Sequence, residues 1–187
     1  MGKVYEAGID DRLREFILAQ PVFFVATAPS GPGGHVNVSP KGLRGTAAVL
    51  GPRRFAYLDY TGSGIETVAH LRENGRITVM FCAFTGPPKI VRLHGRGEAV
   101  LPGDERFPGL RAAFPPRDDH GLRSVIVVDV ARVSDSCGYA VPLMEYVGER
   151  DLLDRWAHRK TAEELLAYRA AKNATSIDGL PALEPRH

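Results

Sequence analysis

The sequence predicts a mainly β, α+β fold: an antiparallel barrel carrying a few helices and a helical C-terminal extension. Three observations point there. Short β-prone runs bounded by Gly, Pro, Asn and Ser recur from residue 22 to residue 134. Few helix-length patterns separate them, which argues against a parallel βαβ sheet. After residue 148 the text turns to helical periodicity.

The elements follow in order. Residues 10–20 place Leu13, Phe16, Ile17 and Gln20 at helical spacing, with Asp10 or Asp11 able to cap the start and Pro21 closing it. Residues 22–28 form a dense β-prone run that ends in Pro29-Ser30-Gly31-Pro32-Gly33-Gly34. Residues 35–39, 46–50, 55–60, 76–83, 90–101 and 124–134 complete the strands. Ser63-Gly64-Ile65-Glu66 has the spacing of a capping box, and Ile65, Val68 and Leu71 line one face up to an Asn74-Gly75 stop. Residues 104–114 read as a second helix ended by Pro115-Pro116. In the tail, residues 151–160 and 163–172 read as helices, with Thr161 and Glu164 at capping-box spacing. The expected division is a barrel over residues 1–148 and an extension over 149–187 that packs on the barrel or on a partner subunit.

Composition narrows the function. At 187 residues the chain suits one domain with a lateral extension and can bury roughly 70% of its unfolded surface without disulfides or metal. Twenty-four Lys and Arg against 22 Asp and Glu give a net +2, which suggests neither a nucleic-acid tract nor a membrane-binding face. The longest apolar runs, residues 21–28 and 77–84, fall far short of the roughly 20 residues a membrane span needs. Cys82 and Cys137 offer no disulfide framework, and no signal-peptide pattern follows Met1, so a soluble cytoplasmic protein is expected. The six histidines show no metal-ligand spacing, and no metal is expected.

Three stretches could carry chemistry. In Asp59-Tyr60-Thr61-Gly62-Ser63-Gly64 a strand delivers the chain to a hydroxyl- and glycine-bearing turn at a helix N-terminus. Free amides and the positive end of the helix dipole meet there, which suits a phosphate. In Val36-Asn37-Val38-Ser39-Pro40-Lys41-Gly42, the proline limits the backbone and could fix the Lys41 ammonium. In Lys89-Ile90-Val91-Arg92-Leu93-His94-Gly95-Arg96, strand alternation puts Arg92, His94 and Arg96 on one face. Each alone is also what an ordinary turn, loop or solvent face provides.

Their order says more. A strand, Asn-Val-Ser-Pro-Lys, further strands, Tyr-Thr-Gly-Ser, a helix ending in Asn-Gly-Arg, an apolar strand and then Lys-x-x-Arg-Leu-x-Gly resembles the pyridoxamine-phosphate-oxidase-like FMN-binding split barrel over about residues 10–134. The resemblance implies a homodimer with FMN between the two barrels. It implies cofactor contacts from Asn37, Val38, Ser39, Pro40, Lys41, Tyr60, Thr61, Gly62, Ser63, Gly64, Thr67, Lys89 and Arg92. Where the family has an Arg-Lys pair for the FMN phosphate, this chain has Glu66 and Thr67. The positive charge is then expected from Lys41, Arg44, Lys89 or Arg92, or the site takes another ligand. Ile90 stands where the family has a flavin-contacting Gln, and the phosphooxidase's basic substrate residues near the C-terminus are not recognisable.

Three readings follow: an FMN-dependent oxidoreductase of unknown substrate, a deazaflavin-dependent reductase, or a flavin-binding, stress-associated protein without turnover. No catalytic acid or base is identified. Cys137, Tyr139 and Trp156 are open candidates for contact with a flavin ring, with packing as the plainer role.

Overall fold

The computed structural model describes residues 2–183. Seven strands alternate with short helices: α1 (Asp11–Ala19), β1 (Phe23–Thr27), β2 (Asn37–Lys41), β3 (Ala47–Gly51), β4 (Arg54–Tyr60), α2 (Glu66–Glu73), β5 (Arg76–Cys82), β6 (Ile90–Val100), α3 (Phe107–Arg111) and β7 (Leu122–Ser136). Two tail helices follow, α4 (Leu152–His158) and α5 (Ala162–Lys172). The strands form one antiparallel sheet in the order β2-β1-β5-β6-β7-β4-β3. Its edges, β2 and β3, do not pair with each other, so the barrel is split.

The inward residues meet in one core. Phe23, Phe55, Tyr57 and Phe81 are packed ring against ring, with centroids 5.5–6.4 Å apart and mostly edge-to-face, the geometry that aromatic quadrupoles favour. Val68, Ala69 and Leu71 of α2 close one side of it. The outward residues of β4, Ala56 and Leu58, join Val125, Val127 and Phe114 in a second cluster. Being covered on both faces, β7 is buried continuously from Leu122 to Val128, and Val125 to Val128 read as a continuous apolar run.

Asp10 caps α1, its carboxylate accepting from the Leu13 amide at 2.8 Å, and Leu13 and Ile17 are buried beneath it. Each buried aliphatic side chain of this kind contributes roughly 1.5–3 kcal/mol. Thr161 and Glu164 form the expected capping box. The Ser63 box does not form: α2 starts at Glu66, with Ile65 at the cap, and the Glu66 carboxylate accepts from the Ile65 amide at 2.9 Å. Glu66 thus satisfies its neighbour's amide and leaves Ser63 in the turn. The expected helix over 104–114 shrinks to Phe107–Arg111. Pro108 has no N–H to donate to the Asp104 carbonyl, so a helix cannot begin four residues before it. The Asp104 carboxylate binds Arg106 instead. Gly75 ends α2 at φ +71°, its amide donating to the His70 carbonyl at 3.3 Å.

Candidate functional site

Strand β2 pairs with β1 so that Val25 lies opposite Ser39. Alternation then turns Asn37, Ser39 and Lys41 inward and leaves Val38 and Pro40 exposed. The inward side faces the turn that links β4 to α2. Between them lies a cleft of about 300 Å3 lined by Ser39, Pro40, Lys41, Tyr60, Gly62, Ser63, Gly64, Ile65, Glu66, Thr67 and Arg123. The amides of Glu66, Thr67 and Val68 open α2 and have no intrahelical acceptor. No side chain crowds Gly62, where an added Cβ would meet nothing within 4 Å.

The charge of the cleft is organised by Asp59. Its carboxylate, only 2% exposed, accepts from Arg123 Nε at 2.8 Å, Lys41 Nζ at 3.2 Å and Ser124 Oγ at 3.2 Å. Burial alone would push this carboxyl up; the charges and hydrogen bonds of Arg123 and Lys41 outweigh it and hold it down at about 2. Arg123 reaches the cleft through a bulge. Asp59 pairs with Ser124 and Tyr60 with Leu122, so Arg123 is the extra residue and its side chain turns to the same side as Asp59. Its Nη1 donates to the Gly64 carbonyl and to Asn173 Oδ1. Its Nη2 makes no hydrogen bond among the described residues, and Arg123 lines the cleft.

The tail holds the turn from behind. Asn173, fully buried at the end of α5, donates to the carbonyls of Gly62 and Ser63 at 3.0 and 3.4 Å. Arg169 donates to Thr61 Oγ1 at 2.8 Å and to the Leu122 carbonyl at 3.1 Å. Thr61 in turn donates its hydroxyl to the Gly121 carbonyl. With both roles of that hydroxyl taken and the residue buried, Thr61 shapes the turn and does not line the cleft.

Asn37 acts in the same way from β2. Its amide donates to Thr27 Oγ1 and Thr67 Oγ1, its carbonyl accepts from Ser39 Oγ, and Thr27 hydrogen-bonds His70 Nδ1 at 2.9 Å. Burial lowers the His70 pKa, so the ring is neutral near pH 7. The chain of bonds ties the cleft wall to the core side of α2.

Of the residues expected from the sequence, Ser39, Pro40, Lys41, Tyr60, Gly62, Ser63, Gly64 and Thr67 therefore share one cleft. Lys89 and Arg92 lie elsewhere in the same chain. Lys89 sits over the rings of Tyr5 and Phe16, 3.9 Å from Asp135. Arg92 donates to Ser136 Oγ on the outer face of β6, three strands from β2 and so roughly 14 Å away across the sheet. Val38 and Pro40 share that outer face. Arg44 is engaged with Glu149 and the Tyr146 ring. Tyr139 is exposed, and Trp156 packs on Tyr168 with ring centroids 4.9 Å apart. Cys137 is exposed and Cys82 buried. Among the described residues no group of His, Cys, Asp or Glu could hold a metal, and no helix is long and apolar enough to cross a membrane.

Sequence reasoning missed Asp59, Arg123, Arg169 and Asn173. Two of them carry a signal in hindsight: Asp59 ends an apolar strand and Arg123 opens one, an opposite-charge pair that an apolar sheet must neutralise internally.

The model of the family described as pyridoxamine 5'-phosphate oxidase matches residues 9–137. The chain belongs to the pyridoxamine 5'-phosphate oxidase family. It is 41% identical over 194 aligned residues to the pyridoxamine 5'-phosphate oxidase family protein ustO of Aspergillus flavus, covering 96% of this chain and 78% of that protein. Among solved structures, HupZ of Group A Streptococcus matches with a TM-score of 0.52 at 21% identity, over 67% of this chain and 91% of the other. A hypothetical protein of Mycobacterium tuberculosis matches with a TM-score of 0.50 at 17% identity, over 79% and 98%. At these identities the structural matches establish the fold alone, and it is the split barrel expected from the sequence.

Proposed function

We propose that this chain binds FMN and works as a flavin-dependent oxidoreductase, with the FMN phosphate in the cleft between β2 and the start of α2. The observation that carries this reading is the meeting of Ser39 and Lys41 with the turn Gly62–Thr67 and with Arg123 in one pocket. The donors there suit a phosphate ester: the unpaired Nη2 of Arg123, the Lys41 ammonium, the Ser63 and Thr67 hydroxyls and the first amides of α2. Arg123 supplies the cation that Glu66 and Thr67 do not. Bound there, FMN would supply hydride or electron transfer. The chain's own residues bind and orient: Asp59 fixes the two cations, and Asn173 and Arg169 hold the turn.

We further propose a homodimer. Val38, Ala26 and Met80 form an apolar outer face of β2-β1-β5 that this chain leaves partly open, and Arg92 borders it. A second copy on that face would cover it.

The visible absorption spectrum of the purified protein, with mass identification of what heat releases, tests the cofactor. Oxidised-flavin absorbance with released FMN supports the reading; colourless protein that takes up no added FMN overturns it. The same sample offered NADH or NADPH separates turnover from flavin storage. Sedimentation near the monomer mass of 20.4 kDa would remove the dimer.

A further inference from the structure

A second and larger cavity, about 790 Å3, lies beside the phosphate cleft and shares Pro40, Lys41 and Tyr60 with it. We propose that this cavity seats the substrate, and that the substrate is an uncharged, largely apolar aromatic molecule rather than a phosphorylated vitamer. The proposal rests on reading the neighbouring cleft as the flavin site, since it takes its substrate role from that contiguity.

Size and lining give the class. The volume falls in the range of roughly 300–1,000 Å3 that drug-sized ligands occupy. Phe24, Leu43, Leu58, Phe84, Met144 and Leu153 supply an apolar wall on several sides, from β1, β4, α4 and the loops between. Apolar walls that enclose a planar molecule gain from its removal from water.

Charge excludes the alternative. Of the cations that line the cavity, Lys41 is shared with the neighbouring cleft, where the proposed FMN phosphate takes it. Arg150 makes no hydrogen bond among the described residues, but Glu145 and Glu149 line the same cavity. A phosphate dianion would meet the Glu145 carboxylate, the Arg44-paired Glu149 and one uncommitted guanidinium, and no row of free amides like that at α2. A neutral ring meets no such opposition.

The outer wall is built to adapt. Residues 137–151 run between β7 and α4 with no helix or strand, and Met144, Glu145, Tyr146, Gly148, Glu149 and Arg150 of that strap face the cavity. The strap is tied at two points. The Met144 amide donates to the Phe84 carbonyl at 2.9 Å. Near its other end, Glu149 accepts from the Arg44 amide at 3.2 Å and from the Tyr146 hydroxyl at 2.7 Å. Between these ties Val147 is 94% exposed and does not line the cavity, whereas Met144 does. The two residues therefore form a matched pair for a test, since both sit on the exposed strap and neither is part of the core.

The experiment is a fluorescence titration with N-phenylnaphthylamine, a neutral aromatic probe, into the full-length wild-type protein and the variants Met144→Asp and Val147→Asp. FMN uptake is read on each sample by flavin absorbance after gel filtration. Saturable binding that Met144→Asp weakens tenfold or more and Val147→Asp leaves within twofold supports the pocket. So does retention of the probe on FMN-saturated protein, counted after gel filtration, with no displacement by equimolar pyridoxal phosphate. No saturable binding, equal loss in both variants, displacement by pyridoxal phosphate, or release of the probe by FMN each overturns it; the last would make the cavity the seat of the flavin ring. Failure of FMN uptake beside an intact contrast between the two variants would instead overturn the flavin reading and leave an apolar ligand pocket.

Discussion

Replacing Asp59 by asparagine keeps the shape of the side chain and removes the charge that Lys41 and Arg123 both touch. The carboxyl moves from its ordinary 3.8 to about 2 in the folded chain. At about 1.4 kcal/mol per unit, that shift corresponds to roughly 2–3 kcal/mol of folding stability near neutral pH. The sign follows from the depressed folded value: the contribution is present above the unfolded pKa, about pH 4, and is lost as pH falls through about 2. The variant also leaves Arg123, which is 4% exposed, without its counter-ion, a loss on the order of 3–5 kcal/mol for a buried pair broken on one side. Urea unfolding of wild type and Asp59→Asn across this range is the assay. The variant should be several kcal/mol less stable at neutral pH, and the gap should narrow by roughly 2 kcal/mol between about pH 4 and about pH 2, because only the wild type takes up that proton on unfolding. A gap that stays constant across this window would refute the assignment. Should the variant fail to fold, a carbon-13 titration of the wild-type carboxyl decides the matter directly: a midpoint in the ordinary Asp range sinks it.

Glu66→Gln keeps the acceptor for the Ile65 amide and removes a carboxylate from the cleft proposed for the phosphate; at about 1 kcal/mol for unit charges some 4 Å apart in water, FMN affinity by calorimetry should rise severalfold. An unchanged Kd would mean that the phosphate sits elsewhere. His158 Nδ1 binds the Asp154 carbonyl and Nε2 binds Asp118 at 2.7 Å, contacts that raise its pKa. The latch from α4 to the loop before β7 is therefore complete below the ordinary histidine range and lost as pH rises through the raised value, so amide exchange in α4 should quicken over that rise. His158→Gln should flatten this dependence; an unaltered profile counts against the latch. Gly95→Ala would place a Cβ 2.1 Å from the Asp129 carbonyl oxygen at the β6–β7 bulge. Backbone on both strands must then shift, with an expected loss of about 1–3 kcal/mol in chemical denaturation, and wild-type stability would show that the bulge yields.

The strands were legible because their pattern is local. Phe55, Tyr57 and Asp59 alternate with Ala56, Leu58 and Tyr60, and the two sets go to different sides of β4. Helix α2 was legible by its stop at Asn74-Gly75, but not by its start, because Ser63 and Glu66 fit a capping box that the turn geometry does not use. The cleft was half legible. Ser39, Lys41 and Gly62–Thr67 sit on two contiguous segments, and the ordering of those segments carries the family pattern. Arg123, Arg169 and Asn173 come from 59 to 111 residues away from their partners. What puts Arg123 on the inward side is a bulge, one extra residue that flips the alternation, and neither propensity nor periodicity announces it. Lys89 and Arg92 illustrate the converse: they match a motif in order along the chain, but strand order sets them across the sheet from the segment they were expected to join.

The electrostatics of the cleft differ from those of a site that attracts phosphate by net charge. Lys41 and Arg123 are balanced within it by Asp59 and Glu66, so little long-range field remains to draw in a dianion. What remains is directional. One guanidinium edge, hydroxyls on Ser63 and Thr67, and the Glu66 and Thr67 amides border the same small volume, and each is worth most when desolvated by a ligand. Asp59 pins the two cations at the cost of part of their attraction, since an arginine left free to rotate would spend its donors on water. Asn173 does the same for the backbone, holding the Gly62 and Ser63 carbonyls so that they do not turn into the cleft. The tail helix is thereby a structural part of the cleft: loosening α5 should disturb the turn before it disturbs the barrel core, because its hydrogen bonds end on Thr61, Gly62, Ser63 and Arg123.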